Sequence, residues 1–510
     1  MNDWTAGYVA DIGYTFGYYP ELNPLRMKLA FLHAGLVCPE VGTACELGFG
    51  QGMSTNLHAA ATTVQWHGTD FNPAQAAFAQ ELAAAGGAGA RLFDESFAEF
   101  ASRTDLPDFD FIALHGIWSW ISDENRACIV DFVRRKLKVG GVLYVSYNTL
   151  PGWAAFAPMR HLLTQHAEII GSEGRGIASR IDGALAFAEK LLEQKPGYAI
   201  ANPHIGERLQ QLKAKPRHYL AHEYFNRDWH PMHFATMVDW LAPAKVSYAC
   251  PAHLIDHVPE LQLTEGQQAF LKEIPDFNFR ESVRDFMTHQ QFRRDYWVKG
   301  PRMLSALGRT EALRSQRLML TTHRPHVTLK VSGALGEARL NEALYGPLLD
   351  AMAEHQPRSV AELERLPQLK MPFAALMQCL VVLCGSGHVW PAQTDAQADA
   401  ARPATDRLNQ ALLRRSRDNG DIAFLASPVT GGGAAVARIP QLCLLARQQG
   451  LKTPEEWARF ALELMLALNQ RVVKDGKTLD RPEDTFNELV GQARMFAEQD
   501  LPTLQALRIA

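Results

Sequence analysis

The segment ELGFGQG, Glu46 to Gly52, constrains this chain more than any other, because three alternating glycines leave a short apolar run and enter a helix-permissive stretch. Glycine is required where the backbone turns sharply and a ligand must approach it closely. The run before it, Val41 to Leu47, reads as a first strand, and Gly52 to Ala61 as the helix that follows. Val64 to Thr69 is a second strand closed by Asp70, and Asn72-Pro73 opens an Ala-rich helix to Ala85. Ala90 to Phe93, Phe109 to His115 and Val142 to Tyr147 supply three more strands, the last two separated by a helix from Asp123 to Leu137. Strands alternating with helices in this order predict a doubly wound α/β unit with a parallel sheet.

The loop departs from a dinucleotide fingerprint. A G-x-G-x-x-G spacing admits a pyrophosphate at a helix N-terminus. Here the third glycine comes one position early and an acid, Glu46, precedes the first. An acid there repels phosphate and suits a cationic ligand such as S-adenosylmethionine, with its amino group and sulfonium. Asp70, about 20 residues past the loop, stands where a carboxylate accepts both hydroxyls of a ribose. A plain strand-to-helix turn and NAD binding remain the competing readings.

The 510 residues, 47% of them apolar, are enough for several cores. After the fifth strand the pattern turns helical, resuming the sheet only at Met232 to Leu241 (helix) and Lys245 to Cys250 (strand). Phe270 to Arg302 reads as helical and Arg-rich, with FRRDYWVKGPR as a solvated helix face. Ser359 to Glu362 and Thr453 to Glu456 are capping boxes, Gly385 to Trp390 resembles a wing, Gly431 to Gly433 is a glycine loop, and Pro391 to Pro403 reads as a linker. A net charge of -4 gives no field for nucleic acid, and the helix PFAALMQCLVVLC has no Lys or Arg to enter a groove. Seven cysteines without a CxxC pair, no signal-like start and no long apolar run point to a cytoplasmic chain without membrane insertion. His218, His222, His230 and His233, like His323 and His326, lack a metal-binding spacing and are read as ordinary surface or core histidines; no metal is expected.

With these motifs in view, residues 10 to 155 resemble the class I methyltransferases. The stretches ELGFGQG, GTDFNP, FDFIALHGIWSWI, GGVLYVSYNTLPGW and YLAHEYFNRDWHPMHF resemble bacterial members that carry a methyltransferase regulatory domain. The likeness is strong to about residue 250 and fades beyond 300. It implies S-adenosylmethionine as cofactor, methyl transfer as the activity, a homodimer, and a group that includes protein-lysine methyltransferases of outer-membrane proteins. The expected fold is a Rossmann-like doubly wound methyltransferase core (1–157 and 218–255) with a helical insertion (158–217). A regulatory helical region (256–335), a winged-helix-like module (336–392) and an α-rich C-terminal domain (404–510) follow.

By the same resemblance Glu46, Gly48, Gly50 and Gly52 hold the methionine part, Asp70 the ribose, and Asp94, Ser96 and Phe97 the adenine, with His115 near the reacting methyl. Aromatic faces attract sulfonium and ammonium groups, which makes Trp118, Trp120 and Trp153 substrate-binding candidates. Tyr14, Tyr18 and Tyr19 are candidates for a lid. His115, Tyr147, Asn148, His222 and Glu223 are the catalytic candidates. YNTLPGW follows strand five and is not an NPPY-type motif, which argues against base methylation. A protein lysine is the first choice of acceptor. A small molecule, glycan or lipid headgroup, or a non-catalytic cofactor-binding scaffold, are the alternatives.

Overall fold

A computed structural model describes residues 15–171, 176–474, 477–479 and 481–510. Five strands run parallel: β1 (Thr43–Leu47), β2 (Gln65–Thr69), β3 (Arg91–Phe93), β4 (Phe109–Leu114) and β5 (Leu137–Asn148). With β6 (Val246–Pro251) and β7 (Phe292–Lys299) they form one sheet of order β3-β2-β1-β4-β5-β7-β6, in which β7 lies antiparallel to both its neighbours. The order reverses at β1 and β4, and a doubly wound sheet binds ligands at the carboxyl end of that reversal. The helices of this unit are α1 (Pro24–His33), α2 (Met53–Ala61), α3 (Pro73–Gly86), α4 (Phe97–Ser102) and α5 (Asp123–Lys136).

Side chains alternate between the two faces of the sheet, as a strand's period of two requires. Ala44, Phe111, Ala113, Val142, Tyr144 and Tyr296 share a core with α1 and with the helix Phe373–Gly385 from far along the chain. Their neighbours Cys45, Ile112, Leu114, Leu143, Val145 and Trp297 pack on the opposite side with Ile129 and Val133 of α5. That explains the uncharged PFAALMQCLVVLC segment: it is buried, with Leu380, Val381 and Leu383 fully shielded from solvent.

The insertion has a core of its own. Here α6 (Ala157–Ile169), α7 (Gly176–Glu193), α8 (Gly197–Ala201), α9 (Ile205–Lys213) and α10 (Arg217–Tyr224) surround Leu163, Ile181, Leu185, Leu209 and Tyr224. The last of these helices packs with the insertion through Leu220 and Ala221. The chain then returns through α11 (Phe234–Leu241) to β6.

Four expectations are corrected. Phe292–Lys299 is a strand in the sheet rather than part of a helix, and Arg293 is 4% exposed rather than solvated. Its guanidinium bonds Asp285 at 2.6 Å, Asp295 at 2.8 Å and Glu281 at 3.0 Å, so charges sit where a strand pattern would show apolar residues. The supposed linker falls largely in a helix, Asp395–Arg415, capped by Thr394 and packed against α2 and α3, with Pro403 inside it. The glycines at 431 to 433 belong to a hairpin, Phe424–Ser427 with Gly432–Ala435, and a Cβ at Gly433 would lie 3.0 Å from Leu57 of α2. Of the segment expected to form a wing, Gly385 to Trp390, the first residue ends the helix Phe373–Gly385 and the last two enter the strand Val389–Pro391, paired antiparallel with Arg317–Leu320. Among the described residues no helix is long and apolar enough to cross a membrane.

Candidate functional site

The loop after β1 makes the sharp turn its glycines predict: Gly48, Gly50 and Gly52 have φ of 77°, 57° and 67°. Only glycine enters this left-handed region without strain. A cleft partly open to solvent lies over the loop, and Gly48 and Gly50 line it. Gly52 has a different task. A Cβ there would lie 2.4 Å from that of Ala79, so this glycine lets α2 pack against α3.

Asp70 lines the cleft and ties its floor together. One carboxylate oxygen accepts the Gly50 amide at 2.8 Å and the other accepts the Asn72 amide at 3.0 Å. Burial pushes its carboxyl up to about 6, against the pull of those two amides. Glu46 lies beneath the loop, 1% exposed, and does not line the cleft; its carboxylate accepts the Thr55 hydroxyl of α2. Burial drives Glu46 up to about 8, and nearby Asp70 adds to the shift.

Beyond β3, Ser96 and Phe97 line the cleft whereas Asp94 does not; Glu95 takes its place. Ser96 caps α4 in a reciprocal box with Glu99, which fixes the wall at this end. Glu95 pairs with Arg103 at 2.5 Å, and that guanidinium lies 4.0 Å over the Phe93 ring. Gln75, Ile117, Asn125 and Asp228 are also among the lining residues. Asp228 follows α10 and has no sequence signal of its own.

His115 stands at the end of β4, where the cleft meets a second chamber. Its ring stacks on Tyr19 with centroids 3.5 Å apart, and Nδ1 lies 2.8 Å from the Tyr144 hydroxyl. Burial lowers His115 to about 4, with Glu21 opposing, so the imidazole is neutral at pH 7. Tyr19 and Trp120 also border both spaces. Asn148, Trp153, His222 and Glu223 line the second chamber alone.

Other candidates lie elsewhere. Tyr147 touches neither space; its hydroxyl donates to Asp295 at 2.9 Å on the far face of the sheet. Trp118 is fully buried, its indole N–H on the Met232 sulfur at 3.4 Å, and belongs to the core. Tyr18 packs against His58 and Phe424 instead of covering the cleft. Tyr14 lies outside the described residues. Of the four clustered histidines, His218 lines the second chamber beside His222, while His230 lies 3.7 Å from Asp228 and His233 stacks on Phe286.

Comparison with known proteins follows this geometry. The family described as "Predicted methyltransferase regulatory domain" matches residues 216–299, from α10 to the end of β7. A Synechocystis sp. relative, the uncharacterized protein sll1526, is 39% identical over 99% of this chain and 100% of its own length. The uncharacterized Rickettsia prowazekii protein RP789 is 26% identical over 54% of this chain and 49% of its own. PKMT2 from Rickettsia typhi in complex with AdoHcy shares the fold, with a TM-score of 0.67 at 16% identity over 96% of this chain and 99% of that one.

Proposed function

The chain belongs to the class I methyltransferases that carry a methyltransferase regulatory domain, and on that premise we propose that it transfers a methyl group from S-adenosylmethionine to a protein lysine. The observation that carries this reading is the junction at His115, where a glycine-floored cleft opens into a separate aromatic chamber. One space suits the methyl donor and the other an acceptor side chain.

The residues present fit the donor. Each Asp70 oxygen accepts one amide and keeps a lone pair for a ribose hydroxyl. Ser96 and Phe97 would border the adenine, and Gly48 and Gly50 the methionine part. Glu95 pairs with Arg103 and Asp228 with Arg227, which leaves Asp70 as the cleft carboxylate without an ion pair among the described residues, a setting that favours a positively charged ligand over a pyrophosphate. When bound, the donor supplies an electrophilic methyl group. Everything else is placement: Tyr19 and Trp120 narrow the junction, neutral His115 adds no like charge, and the chamber orients the nucleophile.

A lysine acceptor is favoured by the likeness to PKMT2 and by the buried Trp153 indole N–H, which has no acceptor among the described residues and would suit a peptide carbonyl. The reading takes the protein to act in the cytoplasm as a homodimer. Calorimetric titration with S-adenosylmethionine and, separately, NADH tests the donor; only the first is expected to bind. Labelled methyl transfer to lysine-bearing peptides, followed by hydrolysis, should place the label on lysine Nζ. Label recovered elsewhere would remove lysine as the acceptor.

A further inference from the structure

The second chamber has a composition that its position beside the cleft does not require. Its walls are Trp120, Trp153, Tyr219 and Phe292, and Glu223 on α10 is the lone carboxylate among them. No Lys or Arg lines this space among the described residues. Among the described residues no ion pair or hydrogen bond holds Glu223 there, whereas other buried acids are paired. Asp285 and Asp295 share Arg293, and Glu21 has Arg294 at 2.7 Å. A half-buried carboxylate without a partner is costly to the empty fold. Aromatic faces around it attract cations and carry no charge of their own.

We propose that this chamber is the receptor for a substrate's side-chain ammonium, and that Glu223 both receives the cation and removes its proton before transfer. This rests on the methyl-transfer reading and names the acceptor's charge state and its base. An alkylammonium has no lone pair and cannot attack. Glu223 takes one proton, breaking an N–H bond and forming its own O–H bond. The freed lone pair then forms the N–C bond to the methyl as the carbon–sulfur bond breaks, with that electron pair kept by sulfur. The products are an N-methylammonium and a neutral thioether, and Glu223 returns its proton to water.

The surroundings favour this step. Burial raises the Glu223 carboxyl to about 7, and the same desolvation makes an ammonium in the chamber more acidic, so the two approach each other. The other groups that face Glu223 are two tyrosines, an arginine and three histidines. Tyr219 is pushed up to about 12 by burial and Tyr224 is raised as well. Arg208 of α9 lies 4.3 Å from the Trp153 ring and 4.4 Å from Phe156. His218 and His222 flank Glu223 on its own helix, and His115 across the chamber is held near 4.

The test uses the full chain with two probes, N-acetyl-lysine methylamide and its uncharged isostere N-acetyl-norleucine methylamide, followed by tryptophan fluorescence. Wild type is expected to bind the lysine probe about tenfold more tightly, a preference of about 1.4 kcal/mol. Glu223→Gln should abolish that preference and leave S-adenosylhomocysteine binding unchanged. With a lysine-bearing peptide the same variant should lose kcat by about 100-fold and lose the limb of the pH profile near 7. Glu223→Asp should restore part of both, and the comparison of the two probes on wild type remains the test if Glu223→Gln does not fold. Equal binding of the two probes by wild type, or an unchanged pH limb in the variant, would overturn the proposal. A wild-type protein that fails to bind S-adenosylhomocysteine would instead overturn the methyl-transfer reading beneath it.

Discussion

The cleft and the chamber share Tyr19, His115 and Trp120, yet they are built in opposite ways. The cleft takes its shape from backbone: glycines at positive φ, amides aimed at Asp70, and a capped helix at Ser96. The chamber takes its shape from side chains on the N-terminal arm, two strand ends, α10 of the insertion and the start of β7. A donor of fixed structure can be met by a fixed loop. An acceptor carried on a macromolecule needs walls drawn from elements that can vary independently, and that is where the insertion and the matched regulatory domain meet.

That difference makes the chamber the part that depends on distant support. Arg293 of β7 holds Asp285, Asp295 and Glu281 and lies 4.4 Å from the Phe234 ring, just behind Phe292. Arg293→Met would leave Asp285 and Asp295 without their cation in a buried site, while Glu281 keeps Arg284, at a cost of about 3–5 kcal/mol. A large fall in Tm is expected, with weakened binding of the lysine probe at temperatures where the protein remains folded. If probe binding stayed intact, the chamber would not lean on this cluster.

The cleft should respond more locally. Asp70→Ala removes the acceptor for the Gly50 and Asn72 amides and for both ribose hydroxyls. S-adenosylmethionine affinity should fall by about 1–3 kcal/mol, read by calorimetry, while the lysine probe binds as before. A loss of probe binding of the same size would show that the two spaces are one site.

The same contrast decides what the sequence reveals. ELGFGQG and Asp70 are legible because backbone geometry demands glycine and a strand-end acid at fixed spacing, and the first five strands follow with them. Gly52 shows the limit of such reading: its glycine is required by the approach of α3, not by a ligand. Asp94 was one residue off because only register decides whether position 94 or 95 faces the cleft. Tyr147 failed for a related reason. Alternation along β5 sends Tyr147 to the opposite face from Tyr144, which meets His115. The strand β7 was hidden because Arg293 and Asp295 neutralise each other inside the fold, so an apolar alternation never appears in the sequence. Asp228 and the chamber's walls come together only through tertiary contacts that no local pattern encodes.

Glu46 offers the finest discrimination, because it supports the cleft without touching its contents. Its carboxyl, near 4.3 in an unfolded chain, is raised to about 8 by burial. The folded protein therefore holds a proton that the unfolded chain releases, and the stability it contributes is complete below about pH 4 and lost as pH rises toward 8. Within that window the slope is at most about 1.4 kcal/mol per pH unit. Glu46→Gln keeps an acceptor for the Thr55 hydroxyl and has nothing to titrate, so the ligand-free variant should show a flatter stability curve between pH 5 and about 8 and a higher Tm at the alkaline end. S-adenosylmethionine affinity should change little, since the carboxylate lies under the loop and not in the cleft. A marked loss of affinity with an unchanged pH profile would move Glu46 from the loop's foundation to the donor's own contacts.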